Sequence, residues 1–207
     1  RDPLWSRGLG DVYKRQTNVF DVADFFINVT VNNNQSDDFI TNLKLNKLLY
    51  FAQGYSFAMT GKPLFNDKIE AWQYGPVVRS VYDKYRVCGK EPITSIDEDY
   101  SESIFSTEEL EILLKVMRDY GKYTGSYLIK LTHQDGTPWK KVYNQTQNNL
   151  IPNDEISDYF KSHANNLFTK KLKYSDDDCI GYHNEDGYLV LPKDDDEEDD
   201  WSEYNEP

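Results

Sequence analysis

Three histidines, two cysteines and 36 carboxylates are the side chains of this 207-residue chain best suited to chemistry. His133, His163 and His183 stand far apart, and none has Glu or Cys at metal-ligand spacing, so the ligand pattern of a zinc site is missing. They read as one partly buried and two surface histidines. Cys88 and Cys179 form neither a zinc pair nor a disulfide framework, as expected of a chain kept in a reducing compartment. A Ser or Cys nucleophile needs an organised base, and no G-x-S-x-G elbow occurs. No G-x-x-x-x-G-K-[ST] loop is present to cradle a nucleotide. Acid–base work by two carboxylates depends on spatial pairing, which sequence does not display. No catalytic, metal-ligating or cofactor-binding residue is therefore assigned, and no cofactor is expected.

The carboxylates are unevenly placed. Ser175 to Pro207 carries fourteen Asp and Glu against one Lys, which accounts for the whole net charge of -13. Residues 17–173 hold 18 basic and 20 acidic residues, a net charge of -2. A domain this close to neutral lacks the basic footprint of a nucleic-acid binder, so direct nucleic-acid binding is not expected. Asp194, Asp195, Asp196, Glu197, Glu198, Asp199 and Asp200 form a block too self-repelling to fold alone. Trp201 and Tyr204 follow it, which a purely solvating tail would not need.

Residues 1–16 are set apart. DVYKRQ, Asp11 to Gln16, is what GAT GTG TAT AAG AGA CAG encodes, and SRGLG, Ser6 to Gly10, matches the arm that precedes that sequence in a sequencing-library adapter. The segment is expected to be a translated adapter, with the native start not visible, and is excluded from fold reasoning.

The elements that must position these residues are mainly helical. Phe20 to Val31 reads as a first helix, with Val22, Phe25, Phe26 and Val29 on one side. Leu45, Leu48, Leu49, Ala52, Tyr55 and Met59 recur at helical spacing, predicting a second helix with one apolar face. Gly61 caps it and Pro63 blocks its continuation. Ile69 to Tyr74 reads as a short strand; if it lies at an edge, Trp72 and Tyr74 form an aromatic face that a partner can cover. Pro76 suits the first turn of a third helix, closed by Gly89 and Pro92. Ile93 to Ser103 is acidic and expected at the surface.

Ser106 and Glu109 have the spacing of a capping box. Behind them Leu110, Leu113, Leu114, Met117 and Tyr120 mark a helix ended by Gly121. Ser126 to Thr132 is a short helix, Pro138 restarts another into Tyr143, and Pro152 opens the last, with Ile156, Phe160 and Leu167 inward. In the extension, Cys179–His183 and Gly187–Leu191 flank a candidate hairpin turn at 184–186. The expected fold is a single compact, mainly α domain over 17–173 with a minor β element. An acidic, partly disordered extension follows over 174–207.

The order LxKLLYFAQGYSFAMTGKPLF, then IEAWQYGPV, then a VYDKY helix, resembles the SocA-like Panacea antitoxin domain, also described as phage-associated and GepA-like. The resemblance runs from about Val19 to about Phe168. Thr132-His133 followed by Pro138-Trp139 resembles the second signature of that domain, with an additional Thr137 that is expected to loosen the turn. Physically the segment is a helix end, an Asp-Gly turn and a new helix anchored by Trp139, a side chain that at such a place most often plugs a core. The alternative is that Trp139 or His133 touches a toxin.

What the resemblance implies is a non-enzymatic, cytoplasmic antitoxin that binds a cognate protein toxin encoded beside it. Relatives of the SocA-like type imply an alternative, a proteolytic adaptor that delivers the toxin to an ATP-dependent protease. An enzyme with a carboxylate site is the third reading. No membrane partner is expected, since no apolar run approaches the length of a span. The candidate partner-binding residues are Trp72, Tyr74, Trp139, the acidic block Asp194 to Asp200, and Trp201. The acidic segment is expected to enter a basic groove of the toxin, steered by charge and held by its apolar flanks.

Overall fold

In a computed structural model of the chain, the described residues are 17–32, 40–95, 100–169, 182–183 and 189–190. They form a mainly α fold with a small sheet. The first helix, α1, spans Val19–Asn32, and α2 spans Asn42–Thr60. Thr41 caps α2 by accepting from the Lys44 N–H, and Gly61 ends it in the left-handed conformation (φ 74°), its N–H returning to the Phe57 carbonyl. The helix is not one-faced. From Lys44 to Phe57 every residue is buried, because α1, α4, α5, α7 and the sheet pack around it from all sides. Those partners are α4 (Thr107–Tyr120), α5 (Gly125–Thr132) and α7 (Asn153–Thr169).

Aromatic rings fill the centre. Phe51 stacks on Tyr120 with centroids 3.9 Å apart, and Phe160 of α7 meets Tyr50, Phe51 and Tyr55 edge-on. The capping box at the start of α4 is complete: Ser106 Oγ accepts from the Glu109 N–H, and Glu109 accepts from the Ser106 N–H at 2.7 Å. Its inward face is Ile112, Leu113, Val116 and Tyr120. Leu110 and Met117 only flank the core, and Leu114 is 52 % exposed, so the predicted stripe is rotated by part of a turn. Ile93 also departs from the surface assignment. It is buried, and its N–H donates to the Ile40 carbonyl at 2.8 Å.

The sheet is antiparallel, in the order β2-β1-β3, with β1 Ile69–Trp72, β2 Gly75–Val77 and β3 Asn149–Ile151. Trp72 faces Gly75 and Ala71 faces Pro76 across a two-residue turn, Gln73-Tyr74. Two expectations are corrected here. Pro76 lies in β2, not in the first turn of a helix; α3 begins at Arg79 and runs to Tyr85. Proline is tolerated because β2 is an edge strand, where its missing N–H costs no ladder bond. β1, by contrast, is the middle strand and not an edge, since the short β3 pairs with its other side and carries too few residues to announce itself. One 3₁₀ turn over Arg86–Cys88 extends α3, and another precedes α4 over Glu102–Ile104. In the extension, β4 (Tyr182–His183) and β5 (Leu189–Val190) pair antiparallel, with the turn between them outside the described residues. The expected disorder of the extension falls outside them as well.

Candidate partner-binding groove

The order of three aromatic segments decides the geometry of the site. α6, Pro138–Val142, starts where Thr137 ends the Asp-Gly turn. Thr137 does not loosen that turn; it fastens it. Its buried hydroxyl donates to the Thr132 and Gln134 carbonyls at 2.7 and 2.8 Å and accepts from the Lys140 N–H. Trp139 is thereby held in the core, 3 % exposed, with its indole N–H donating to the Trp72 carbonyl at 2.8 Å. His133 stacks on one side of Trp139 at 3.7 Å and Tyr143 stacks on it at 4.4 Å. Trp139 is thus a clamp between the helical body and the β1–β2 hairpin, and its ring offers a partner no face.

Lys47 of α2 lies under the same hairpin. It is fully buried, and its Nζ donates to the Pro76 carbonyl at 3.2 Å. Gly75 permits this contact: a Cβ there would stand 2.7 Å from Lys47 Cε and 2.9 Å from Thr132 Oγ1, and its φ of 104° disfavours any side chain. Burial pushes the Lys47 ammonium down to about 7. Burial, with Lys47 and Lys140 nearby, also pushes His133 down to about 4, so this ring is neutral near pH 7. His133 Nε2 has no hydrogen-bond partner. Asn46 completes the layer, its side-chain oxygen accepting from the Val78 N–H at 2.9 Å while its amide donates to Asn42.

Above this layer a groove of about 1210 Å³ runs between α2, the β1–β2 turn, α3 with its 3₁₀ extension, and Tyr143 to Asn148. Trp72 and Tyr74 both line it, as does Tyr82. Trp72 is 9 % exposed, meeting Tyr82 edge-on at 4.8 Å; its indole N–H donates to Glu70 at 2.8 Å, and Arg79 both pairs with Glu70 at 3.3 Å and lies 5.3 Å over the Trp72 ring. Tyr74 sits half-buried in the turn. Of the charged residues lining the groove, Lys47, Arg79, Arg86 and Lys90 are basic and Asp83 alone is acidic. Val87 stands at the rim, 87 % exposed.

Of the predicted partner-binding residues, the structure brings Trp72 and Tyr74 into one groove, puts Trp139 behind it, and does not describe Asp194 to Trp201. Sequence reasoning missed Arg79, Tyr82, Arg86 and Val87. Their i, i+3, i+7, i+8 spacing along Arg79–Cys88 was the available signal. Among the described residues no group of three or more His, Cys, Asp or Glu is placed to hold a metal, and no helix is long and apolar enough to cross a membrane.

Residues 45–140 match the family described as "Antitoxin SocA-like, Panacea domain". The chain is also 33% identical over 122 residues to "Antitoxin SocA" of Caulobacter vibrioides (strain NA1000 / CB15N), an alignment that covers 54% of this chain and 64% of that protein. It therefore spans just under two thirds of the relative's length. No solved structure matches the chain significantly.

Proposed function

We propose that this chain, which matches the SocA-like Panacea family over residues 45–140, is an antitoxin that neutralises a cognate protein toxin by direct contact. The domain is residues 17–173, and the groove beside α3 is its docking face. The observation that carries this reading is the groove itself. It lies largely within the family segment, and combines exposed Arg86 and Val87 with a Trp72–Tyr82 pair that a buried clamp holds in place. Aromatic and arginine side chains on a rigid base are the kind of residues on which binding energy concentrates. The relative of the same family is named an antitoxin, which supplies the class of partner. The acidic run Asp194–Asp200 with Trp201 is the second contact, offered to basic surface on the toxin.

Nothing in this arrangement requires turnover. The groove works by occupying toxin surface, and its affinity rests on a few desolvated anchors with a charged rim that speeds encounter. Trp72, held through Glu70 and Arg79, supplies the fixed anchor. Tyr82 and Val87 supply apolar area beside it.

The test is co-expression with the adjacent reading frame. The full chain is expected to restore growth and to co-purify stoichiometrically, whereas Tyr82→Ala combined with Arg86→Glu is expected to lose at least tenfold in affinity while unfolding at an unchanged temperature. Full rescue by that variant would remove the groove from the proposal. Rescue that disappears in a host lacking its ATP-dependent proteases would mark a proteolytic adaptor instead.

A further inference from the structure

Three polar side chains fasten the β1–β2 hairpin to the helical body. Lys47 donates to the Pro76 carbonyl at 3.2 Å, Asn46 accepts from the Val78 N–H at 2.9 Å, and the Trp139 indole donates to the Trp72 carbonyl at 2.8 Å. Of the three, only Lys47 can change its charge. The hairpin lies directly on it: the side chain is 0 % exposed, and a Cβ on Gly75 would stand 2.7 Å from its Cε and 3.1 Å from its Nζ. Water therefore reaches Nζ only when the turn moves. An ammonium has three N–H donors, and the Pro76 carbonyl is the acceptor in place.

No carboxylate offsets a charge at this place. None of the ion pairs among the described residues includes Lys47. At the end of α5 stands His133, with Lys140 of α6 near it; both act on the imidazole as positive neighbours would, and neither steadies a cation on Lys47. The hairpin turn contributes Tyr74, and α3 contributes Tyr82 and Asp83, to the groove whose floor Lys47 forms. Asp83 is exposed and does not pair with Lys47. A proton taken up by Lys47 in place thus leaves a buried charge facing one carbonyl, and moving the turn aside returns that charge to water.

We infer that Lys47 is a proton-sensitive latch: taking up a proton loosens the turn end of the hairpin, Trp72 to Pro76, from α2, and losing it fastens the turn. Trp72 and Tyr74 ride on this turn, so the latch sets the shape of the groove they line. The closed amine is held down to about 7 by burial, while the released one regains its ordinary value of 10.5. Between those values the released form carries a proton that the closed form lacks. Release therefore grows as pH falls through this window, by up to about tenfold per unit, and levels off below about 7. A consequence for partner affinity rests on the proposed function; the latch does not, and is tested without any toxin.

Hydrogen exchange of the full chain by NMR at about pH 7.5 and about pH 9, corrected for the intrinsic pH dependence of exchange, reads the latch. The Val78 amide and the Trp139 indole are expected to exchange faster than the Val116 amide of α4, through a local opening. Their protection should rise about tenfold or more over this range. In Lys47→Met, which keeps most of the stem and cannot titrate, protection at both groups should stay level. Protection independent of pH in the parent overturns the inference, as does an equal rise in the variant. Exchange of both groups only together with Val116 would assign the proton to global unfolding and overturn the latch as well. Should the variant fail to fold, the ¹³C shift of the Lys47 ε-methylene in the parent decides: a midpoint at about 7 is expected, and one at 10.5 overturns the inference. Level protection in a chain that still rescues growth strikes the latch alone; a working latch without rescue strikes the docking reading alone.

Discussion

Helices α2 and α4 lie against each other, yet they meet the rest of the molecule differently. α2 is enclosed: Asn42, Lys44, Asn46, Lys47, Gln53 and Ser56 are as buried as its leucines. α4 buries four of its fourteen residues and keeps most of its charges at the surface, Asp119 and Glu109 excepted, which accept from Tyr55 and Thr17 at 2.9 and 2.7 Å. Most polar side chains on α4 are surface ones, whereas on α2 a buried polar side chain must carry hydrogen bonds that fix a neighbouring segment. Asn46 and Lys47 fix the β1–β2 hairpin beneath the groove; Gln53 fixes the turn at Leu64-Phe65. The lesson is that the apolar stripe of α2 builds the core, and its polar residues aim the loops around it.

Gln53→Leu should break this comparison if it is wrong. The Gln53 oxygen accepts from the Leu64 and Phe65 N–H groups at 2.9 and 3.2 Å, and its amide donates to the Phe65 carbonyl at 3.0 Å. An apolar side chain of similar size orphans three buried backbone groups at about 1–3 kcal/mol each. A loss of at least ~3 kcal/mol is expected in urea unfolding. A loss under ~1 kcal/mol would mean that α2's polar residues are passengers.

Lys47→Met sharpens the comparison through pH. The folded-state ammonium is pushed down to about 7 from an ordinary value of 10.5. Between those values the unfolded chain binds a proton that the folded chain does not, so stability rises with pH across this window. The slope from this group alone is at most about 1.4 kcal/mol per pH unit. The variant should lose that rise while keeping the rest of the profile. An identical pH dependence in both proteins would show that Lys47 reaches water.

The spacing of leucines, the glycine stop at Gly61 and the Ser106–Glu109 box were legible in the sequence, because caps and periodicity are local. Enclosure is not local. The same Leu45 to Met59 pattern serves a surface helix, and only the placement of α1, α4, α5 and α7 turns Lys47 and Gln53 inward. Pro76 misled for a related reason, since proline suits a helix start and an edge strand alike. The groove was half legible. Trp72 and Tyr74 stood out as aromatic, while Arg86 and Val87 gained meaning only when α3 was set beside the hairpin.

On α4 the expected effects are smaller. Ser106→Ala removes the acceptor for the Glu109 N–H and leaves the Glu109 carboxylate with one fewer donor. About 1 kcal/mol is the ordinary cost of such a cap. Thermal unfolding should fall by a few degrees, without a change in affinity for the proposed toxin. A larger loss, coupled to weakened binding, would make α4 a positioning element like α2 and blur the contrast.

The smallest effect is expected at Leu114, and it sets the register of the whole helix. Leu113 is fully buried and Leu114 is 52 % exposed, although the two adjacent leucines look equivalent by composition. Leu114→Lys places its charge in water and stays within ~0.5 kcal/mol of the parent, the range of surface substitutions. Leu113→Lys buries an ammonium among Ile112, Val116 and the residues of α2, with no partner to offset its desolvation, and should unfold the domain or lower its stability by several kcal/mol. Equal tolerance at the two positions would rotate α4 relative to α2. It would also place Leu114 in the core, as the uncorrected leucine spacing had it.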